Sequence, residues 1–314
     1  MAGLKAIKTK IRSIAKTQKV TKAMEAVSAA KMRKAQQAAV ASRAYARAAS
    51  SILARLSGTK QAEYMALAAT RPINRALYVV ITSDKGLAGA LNSAVLRATA
   101  ADIAASGLPA SAISIVAIGR KAQDYFTTMN ARLPAGRQGY DIVRYYPNTD
   151  QIESGEMEEI LQIASGRFEA GETDLVKVVY QNFVSTFEQR PTLRTIFPLS
   201  ITELQKVVDD IVPARGVFAQ PITLEVTPNA YSIEPSEEEV LSAIVPLLAG
   251  IFLYHALLES QASEHSARMV SMKAASDNAE TLTDTLTIKF NKARQAAITQ
   301  EISEITGGMA ALTN

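Results

Sequence analysis

The sequence predicts an α/β protein with long terminal helices, in which the first and last segments pair as an antiparallel, left-handed coiled coil. Residues 1–71 contain no Pro and are rich in Ala, Lys, Arg, Met and Gln, which are strong helix formers. Residues 247–314 also lack Pro and carry a sustained seven-residue repeat of apolar and small side chains. Between them, short β-branched runs alternate with helical stretches. We therefore expect coiled-coil segments at 1–60 and 236–314 and an α/β domain at 72–235.

The N-terminal helix is predicted over residues 3–57 and would be about 80 Å long. Its apolar residues recur at 3-4-3 spacing and then at 4-3 spacing, with one change of phase between the two runs. These residues are Leu4, Ile7, Ile11 and Ile14, followed by Val20, Met24 and Val27. Because a domain of this size cannot cover so long a rod, we expect the helix to meet another rod or to lie within a partner.

The C-terminal helix supplies that second rod. Its seam follows a 4-3 alternation through Leu258, Ala262, His265, Met269, Met272, Ser276, Ala279, Thr283, Leu286, Phe290 and Ala293. Past residue 297 the apolar stripe shifts by one position, to Ile298, Ile302, Ile305, Met309 and Leu312. Small residues at many seam positions allow close approach of a second helix, and a sustained 3.5-residue period predicts a left-handed supercoil.

The central part is expected to hold a largely parallel sheet, because strand-like and helix-like segments alternate along it. The strand-like runs are Ala76–Thr82, Ala112–Ile118 and Leu175–Val184, and the helix-like runs are Ala88–Ser106, Arg120–Asn130 and Gln151–Gly171. Two stretches are expected to be surface loops or irregular insertions, Arg132–Gly139 and Leu199–Pro221.

A transmembrane helix is not expected, although Leu241–Leu258 has to be considered as one. A membrane span needs about 20 apolar residues, and this run reaches 18 residues only by including Ser, Pro, Gly, Tyr and His. Glu237, Glu238, Glu239 and Glu259 flank it. We therefore predict a helix buried against the protein, without direct membrane insertion.

Charge is distributed unevenly along the chain. Residues 1–57 hold thirteen Lys and Arg against one acid, Glu25, for a net charge of +12, whereas the whole chain carries only +4. Such a segment suits acidic surroundings. A solvated helix face, a nucleic-acid contact and a protein partner with acidic loops all fit this charge, although no aromatic residue precedes Tyr45 to interleave with bases.

The sequence offers no candidate catalytic or metal-binding residue. The chain has no Cys, which excludes thiolate chemistry. Its two His, His255 and His265, are ten residues apart, and we do not expect a zinc site. Ser83–Gly89 lies between a strand and a helix, where nucleotide loops occur, but it lacks the Walker and dinucleotide patterns and is interpreted as a tight turn. Glu237–Glu239 fit the first turn of a helix capped by Ser236.

Three segments resemble the gamma subunits of F-type ATP synthases. They are Thr17–Gln36 (TQKVTKAMEAVSAAKMRKAQ), Thr82–Asn92 (TSDKGLAGALN) and Ser263–Leu312 (SEHSARMVSMKAASDNAETLTDTLTIKFNKARQAAITQEISEITGGMAAL). The resemblance covers nearly the whole length and is most specific at the two ends. It implies a non-catalytic subunit with a Rossmann-like domain at the foot of the coiled coil. Such a subunit is the central rotor shaft that couples rotation of the c-ring to ATP synthesis or hydrolysis and regulates ATPase activity and proton flow.

The resemblance also implies partners and contact residues. The partners would be the alpha and beta subunits of the catalytic hexamer, the epsilon subunit and the membrane c-ring, with ATP, ADP and Mg²⁺ bound by alpha and beta and no cofactor bound by this chain. The coupling contact with beta would be formed by Met24 and the facing Gln295, Thr299 and Glu301. An apolar bearing tip would comprise Ile298, Ile302, Ile305, Met309 and Leu312.

The resemblance and the composition together suggest a bacterial protein, peripheral on the cytoplasmic side of the cell membrane. Many relatives have Cys where Ala88 stands, so thiol chemistry at that position is not needed for the family role. The resemblance is poorest over Leu199–Pro221, and contacts are not assigned there.

Overall fold

The computed structural model describes most of the chain. The described residues are 2–56, 67, 71–134, 136–149, 154–198 and 236–312. The predicted loop Leu199–Pro221 lies outside these residues. The described chain divides into two compact units, one formed by Met1–Ser28 with Arg268–Asn314 and the other by Ala29–Ala267. We call them the helical unit and the sheet unit.

Five α-helices and five strands make up the described elements. The helices are α1 (Ala2–Leu56), α2 (Leu91–Ser106), α3 (Arg120–Ala131), α4 (Ser154–Glu169) and α5 (Glu237–Leu312). The strands are β1 (Ala76–Ile81), β2 (Ile113–Ile118), β3 (Asp141–Tyr146), β4 (Leu175–Phe183) and β5 (Gln189–Phe197). The helices α1 and α5 each contribute to both units.

The sheet unit contains one five-stranded sheet in the order β3-β2-β1-β4-β5. The first four strands pair in parallel, and β5 pairs antiparallel with β4. This confirms the predicted α/β layer with a largely parallel sheet. Because β1 lies at the centre, every side chain from Ala76 to Ile81 is buried, as expected for a parallel strand covered on both faces.

Two apolar clusters cover the two faces of the sheet. On one face, α4 and α5 supply Ile160, Phe168, Phe252 and Leu257, which pack with alternate residues of the strands. On the other face, α2 and α3 supply Val95, Ile103, Ala122 and Phe126, which pack with the remaining strand residues. The run Leu241–Leu258, considered above as a membrane span, contributes Leu248, Ala249, Phe252, Leu253, Ala256 and Leu257 to the sheet core, while its Leu247 and Tyr254 are exposed. Among the described residues, no helix is long and apolar enough to cross a membrane.

Three strands and all the central helices were predicted close to their observed bounds, but β3 and β5 were missed. Both are edge strands of the sheet. The residues of β3 alternate with charge (DIVRYY), and β5 contains Pro191 and two Arg (QRPTLRTIF). Edge strands tolerate charge and Pro because one of their sides is not hydrogen-bonded to a neighbour.

The helical unit combines the start of α1 with the end of α5, as expected for an antiparallel pair. Along α1, half-buried or buried residues recur in strict 3-4 alternation through Leu4, Ile7, Ile11, Ile14, Gln18, Thr21, Glu25 and Ser28. Along α5 within this unit, the predicted seam from Met269 to Ala293 is confirmed and continues to Ala297. Ser28, Ser276 and Ala279 are buried, and their small side chains let the seam close tightly.

The predicted change of phase in α1 was wrong. Val20 and Val27 are 58% and 55% exposed and lie off the seam, while Thr21 and Ser28 occupy it. The error arose because the prediction followed apolar side chains alone. Thr and Ser are small enough to be buried in a helical seam once their hydroxyls bond within the helix, as the Thr21 hydroxyl does by donating to the Gln18 carbonyl at 3.0 Å.

The start of α5 matches the predicted cap. The backbone N–H of Glu239 donates to Ser236 Oγ at 3.2 Å, which satisfies one of the free donors at a helix N-terminus. Acidic residues in this first turn also suit the positive end of the helix dipole. The observed cap therefore supports the prediction that Glu237–Glu239 form the first turn of a helix capped by Ser236.

Candidate functional site

The end of α5 presents an exposed apolar strip. Beyond Ala297 every described side chain of this helix is exposed. Ile298, Ile302, Ile305 and Met309 are between 48% and 65% exposed. Their 4-3-4 spacing puts them on one helix face, and such a strip on a protein surface marks an interaction site. Leu312 ends the helix, but its side chain lies outside the described residues.

The outer face of α1 in the helical unit combines positive charge with exposed valines. Lys5, Lys8, Lys10, Arg12, Lys16, Lys19 and Lys22 are all exposed. Val20 and Val27, seven residues apart on one face, lie among these bases. This face therefore offers both Coulomb attraction for acidic groups and apolar surface for burial.

The predicted coupling residues lie on both helices of the helical unit. Met24 is half-buried at the edge of the α1 seam, whereas Gln295, Thr299 and Glu301 are exposed on α5. Gln295 and Thr299 share a face because they are four residues apart. Glu301 points about 200° away from Thr299, since each residue turns a helix by about 100°.

Met24 and the predicted contact residues of α5 lie at different distances along the helical unit. The helical unit ends at Ser28 on α1 and at Arg268 on α5. At 1.5 Å per residue, Met24 lies about 6 Å and Gln295 about 40 Å from that boundary. The two groups therefore lie at different levels along the unit.

Polar groups of the turn Ser83–Gly89, at the carboxyl edge of the sheet, are hydrogen-bonded within the turn and to the two helices next to it. Ser83 Oγ donates to the Lys85 carbonyl at 2.6 Å, and the Ser83 N–H donates to Asn92 Oδ1 at 2.9 Å. Asp84 Oδ1 accepts from the backbone N–H of Arg120 at 2.8 Å and so caps α3. Leu87 and Gly89 have positive φ values of 65° and 59°. These bonds favour the predicted tight turn over a phosphate-binding loop.

The carboxyl edge of the sheet is occupied by α5. In open α/β sheets, ligands bind in the crevice outside the carboxyl ends of the strands. Here Gln261 Nε2 donates to Asn148 Oδ1 at 3.1 Å and to the Thr149 carbonyl at 2.8 Å, just after β3. Ser263 Oγ donates to the Gln181 carbonyl in β4 at 3.0 Å. The helix thus fills the place where a nucleotide would bind in a related fold.

Ser266 adds a third bond of the same kind. Its Oγ donates to the carbonyl of Thr186, in the loop between β4 and β5, at 2.7 Å. Asn148 Nδ2 in turn donates to the carbonyl of Thr82, at the end of β1, at 2.7 Å. Sequence reading missed this cluster because polar residues within a helical repeat are usually solvated; the unusual density of Ser, Gln, Glu and His in the run ESQASEHS was the available signal.

Ionisable side chains lie one turn earlier on the same helix, and one of them, Glu259, faces the phenol of Tyr180 on β4. His255 Nε2 lies 3.2 Å from Glu259 Oε1, and both side chains are buried. Arg194 Nε on β5 donates to the Tyr180 hydroxyl at 3.1 Å. Burial, followed by the negative charge of Glu259, raises the pKa of Tyr180, and Arg194 partly offsets this rise. Since burial of charge is costly unless paired, these groups stabilise α5 against the sheet only as a set.

Among the described residues, no group of three or more His, Cys, Asp or Glu side chains is arranged to hold a metal ion. His255 and His265 are both buried in α5, ten positions apart. The candidate sites are two exposed surfaces of the helical unit, one on α1 and one on α5, and a polar cluster within the sheet unit.

Comparison with known proteins identifies the family of the chain. The family model described as ATP synthase matches residues 3–312. The ATP synthase gamma chain of Heliobacterium modesticaldum is 38% identical over 312 residues, covering 99% of this chain and 100% of the relative. The gamma chain of Pelotomaculum thermopropionicum is 37% identical over 313 residues, with the same coverage.

Solved structures share the fold. A chain of the Euglena gracilis mitochondrial ATP synthase (OSCP/F1/c-ring) aligns with a TM-score of 0.64 at 19% identity, covering 99% of this chain and 95% of the other. A chain of the Tetrahymena thermophila mitochondrial ATP synthase central stalk and c-ring aligns with a TM-score of 0.56 at 23% identity, covering 82% and 99%. Because the family model and relatives above 30% identity span almost all of its residues, this chain belongs to the ATP synthase gamma chain family.

Proposed function

We propose that this chain is the central rotor shaft of a proton-translocating F-type ATP synthase. The full-length match to ATP synthase gamma chains carries the proposal. The chain couples rotation of the c-ring to ATP synthesis or hydrolysis at the beta subunits, and through that contact it regulates ATPase activity and proton flow. It is a non-catalytic subunit.

The proposed partners follow from the same family and from the surfaces described above. The alpha and beta subunits surround the helical unit, and the epsilon subunit and the c-ring bind the Rossmann-like domain, which we assign to residues 72–235 between helical segments 1–60 and 236–314. The chain binds no cofactor of its own, and nucleotide and Mg²⁺ belong to alpha and beta. We place the complex on the cytoplasmic side of a bacterial cell membrane, with this chain peripheral.

The mechanism rests on the different chemistry of two surfaces. The basic face of α1 carries seven exposed Lys and Arg between residues 5 and 22, and directed charge contacts favour particular angles. The apolar strip at the end of α5 buries surface without directional bonds, so it suits a bearing that turns. One asymmetric shaft inside three beta subunits presents a different face to each, and rotation exchanges their nucleotide affinities.

Residues are proposed for each role. Met24 is assigned to the coupling contact with beta, with Gln295, Thr299 and Glu301 at a second level of the same contact. Ile298, Ile302, Ile305, Met309 and Leu312 are assigned to the bearing tip. The exposure of Gln295, Thr299 and Glu301 and of the described tip residues supports these roles.

Reconstitution tests the proposal. Alpha and beta subunits with this chain, joined to membrane vesicles that carry the c-ring, should synthesise ATP under a proton gradient, and omission of the chain should abolish synthesis. The chain alone should hydrolyse no ATP and, in isothermal titration, bind none at micromolar concentration. Synthesis without the chain, or stoichiometric ATP binding by the chain alone, would contradict the shaft assignment and favour an α/β enzyme. Salt-sensitive binding to DNA would favour a nucleic-acid contact.

A further inference from the structure

The segment of α5 inside the sheet unit differs from an ordinary surface helix. Every residue from His255 to Ser266 is buried, so the helix is enclosed on all sides. Yet the segment contains three Ser, one Gln, two Glu and two His. Burial of polar groups is costly unless they are bonded, and Gln261, Ser263 and Ser266 donate to groups outside their own helix.

These three residues, Gln261, Ser263 and Ser266, form what we call the polar anchor. Their acceptors lie in the loop after β3, in β4, and in the β4–β5 loop. Gln261 and Ser263 point to nearly opposite sides of the helix, because two residues turn it by about 200°. The anchor therefore holds α5 from several directions at the carboxyl edge of the sheet.

The polar anchor defines the angle of the helix about its own axis. An apolar contact tolerates rotation because burial has no preferred direction, whereas a hydrogen bond weakens steeply as its angle falls from 150° to about 120°. A side chain on the surface of a helix also moves sideways when the helix twists, which stretches bonds of 2.7 to 3.1 Å. Twisting α5 in its seat thus breaks the anchor bonds on opposite sides together.

We infer that the polar anchor transmits torque from the sheet unit into α5, and that its three residues position the helix for rotary coupling. The inference rests on the proposed rotor function and adds residues to it. α5 continues without interruption from Glu237 to Leu312, so an angle fixed at residues 261–266 is carried along one helix. The crevice that binds ligand in related folds serves here as a seat for the shaft.

The test compares two double variants of α5 in the assembled ATP synthase. Ser263→Ala with Ser266→Ala removes two anchor hydroxyls while keeping a good helix former. Thr281→Ala with Thr285→Ala is the matched control, because these exposed hydroxyls donate to carbonyls of their own helix, those of Asp277 and Thr281. Gln261→Met, which removes the amide donor of the remaining anchor residue, gives a third variant.

Two measurements decide the inference. Backbone amides of residues 255–266 should exchange with solvent about fivefold faster for each lost anchor bond, since a net hydrogen bond contributes about 1 kcal/mol. Proton-driven ATP synthesis should fall more than ATP hydrolysis. The control variant should change neither quantity.

Each outcome has a defined meaning. Unchanged exchange in the anchor variants, or synthesis and hydrolysis lowered in equal proportion, would overturn the inference. If the double anchor variant does not assemble, Gln261→Met is compared with the Thr281→Ala and Thr285→Ala control instead, and equal behaviour of these two variants would overturn the inference as well. If the wild-type chain itself restores no synthesis, the rotor function fails, and the exchange data alone show whether the anchor fixes α5.

Discussion

At the scale of single residues, Gly119 shows how closely the sheet edge is packed. It lies between β2 and α3 with φ of +92°, and a Cβ built on it would lie 2.1 Å from the Thr82 carbonyl oxygen. Thr82 is fully buried at the end of β1, and its Oγ1 accepts from the Ala122 N–H at 2.9 Å. Neither the backbone nor Thr82 can move without disturbing β1 and α3.

We therefore expect Gly119→Ala to destabilise the chain by about 2–4 kcal/mol, through the positive φ and the clash with backbone. Gly86→Ala is the matched control, because nothing lies within 4 Å of its added Cβ and no positive φ is involved. Urea denaturation of both variants checks the prediction. If Gly119→Ala and Gly86→Ala had the same urea midpoint, the sheet edge would have relaxed around the added methyl group and the prediction would be wrong.

A substitution at Met24 tests the proposed coupling contact most directly. Met24→Lys would add a long cation at the contact proposed with acidic groups of beta. A new contact of about 1–3 kcal/mol would deepen one angular minimum, and 1.4 kcal/mol is about tenfold in rate. We expect assembly and much of the ATP hydrolysis to persist while protons pumped per ATP fall. Hydrolysis and pumping are measured together in membrane vesicles.

Changes at Gln295 or Thr299 should partly restore pumping in Met24→Lys. They would act at the second proposed level of the contact with beta, by making the free-energy minimum at that rotation angle shallower. Ala30→Lys, which adds the same charge on an exposed position of α1, is the control and should pump normally. Equal losses of hydrolysis and pumping in Met24→Lys, or no loss of either, would make Met24 a seam residue only.

At the scale of elements, the apolar strip of α5 can be tested apart from folding. Ile302→Ser with Ile305→Ser should leave the free energy of unfolding of the isolated chain within about 0.5 kcal/mol, because both side chains are exposed. Association with alpha and beta should weaken roughly tenfold or more, since burying an Ile stabilises a contact by about 1.5–3 kcal/mol. Isothermal titration of the chain into the alpha and beta subunits measures the dissociation constant.

The control for the strip is Ile288→Ser, which removes an even more exposed Ile outside the tip. Equal association of the tip variant and this control would contradict a bearing at Ile298–Met309. A lower unfolding free energy for the tip variant would instead mean that the strip contacts its own chain.

The elements also show what sequence can and cannot predict. The buried strands β1, β2 and β4 were recognisable because their β-branched runs are short and continuous. The edge strands β3 and β5 were not, since charge and Pro are permitted where one side lacks a neighbour. In α1 the seam was misread at Val20 and Val27 because Thr21 and Ser28 are polar. The polar anchor was missed because its acceptors are distant in sequence, in β4 and in the loops after β3 and β4.

At the scale of the whole molecule, buried tyrosines predict how stability responds to alkali. Burial raises the pKa of Tyr146 to about 12, and burial together with the neighbouring Asp102 also raises the pKa of Tyr78. In the unfolded chain a Tyr ionises near pH 10. The stabilising contribution is therefore complete below pH 10 and is lost as pH rises towards the folded-state value.

We expect the unfolding free energy to fall steeply between pH 10 and about 12. Tyr146→Phe should make this fall shallower, because the variant has one fewer phenol that ionises only on unfolding. The control is Tyr254→Phe, which removes a phenol that is 40% exposed. Denaturation at several alkaline pH values checks the slopes, and equal slopes for both variants would contradict the assignment.

The exposed strip from Ile298 to Met309 has a consequence for how the protein is made in the cell. A newly synthesised chain carries this strip before any partner covers it, and exposed apolar helix surface invites self-association. Supply of the chain in excess of its partners would then lead to aggregates or to capture by chaperones. The stoichiometry of subunit synthesis thus becomes a physical requirement, set by four side chains at one end of one helix.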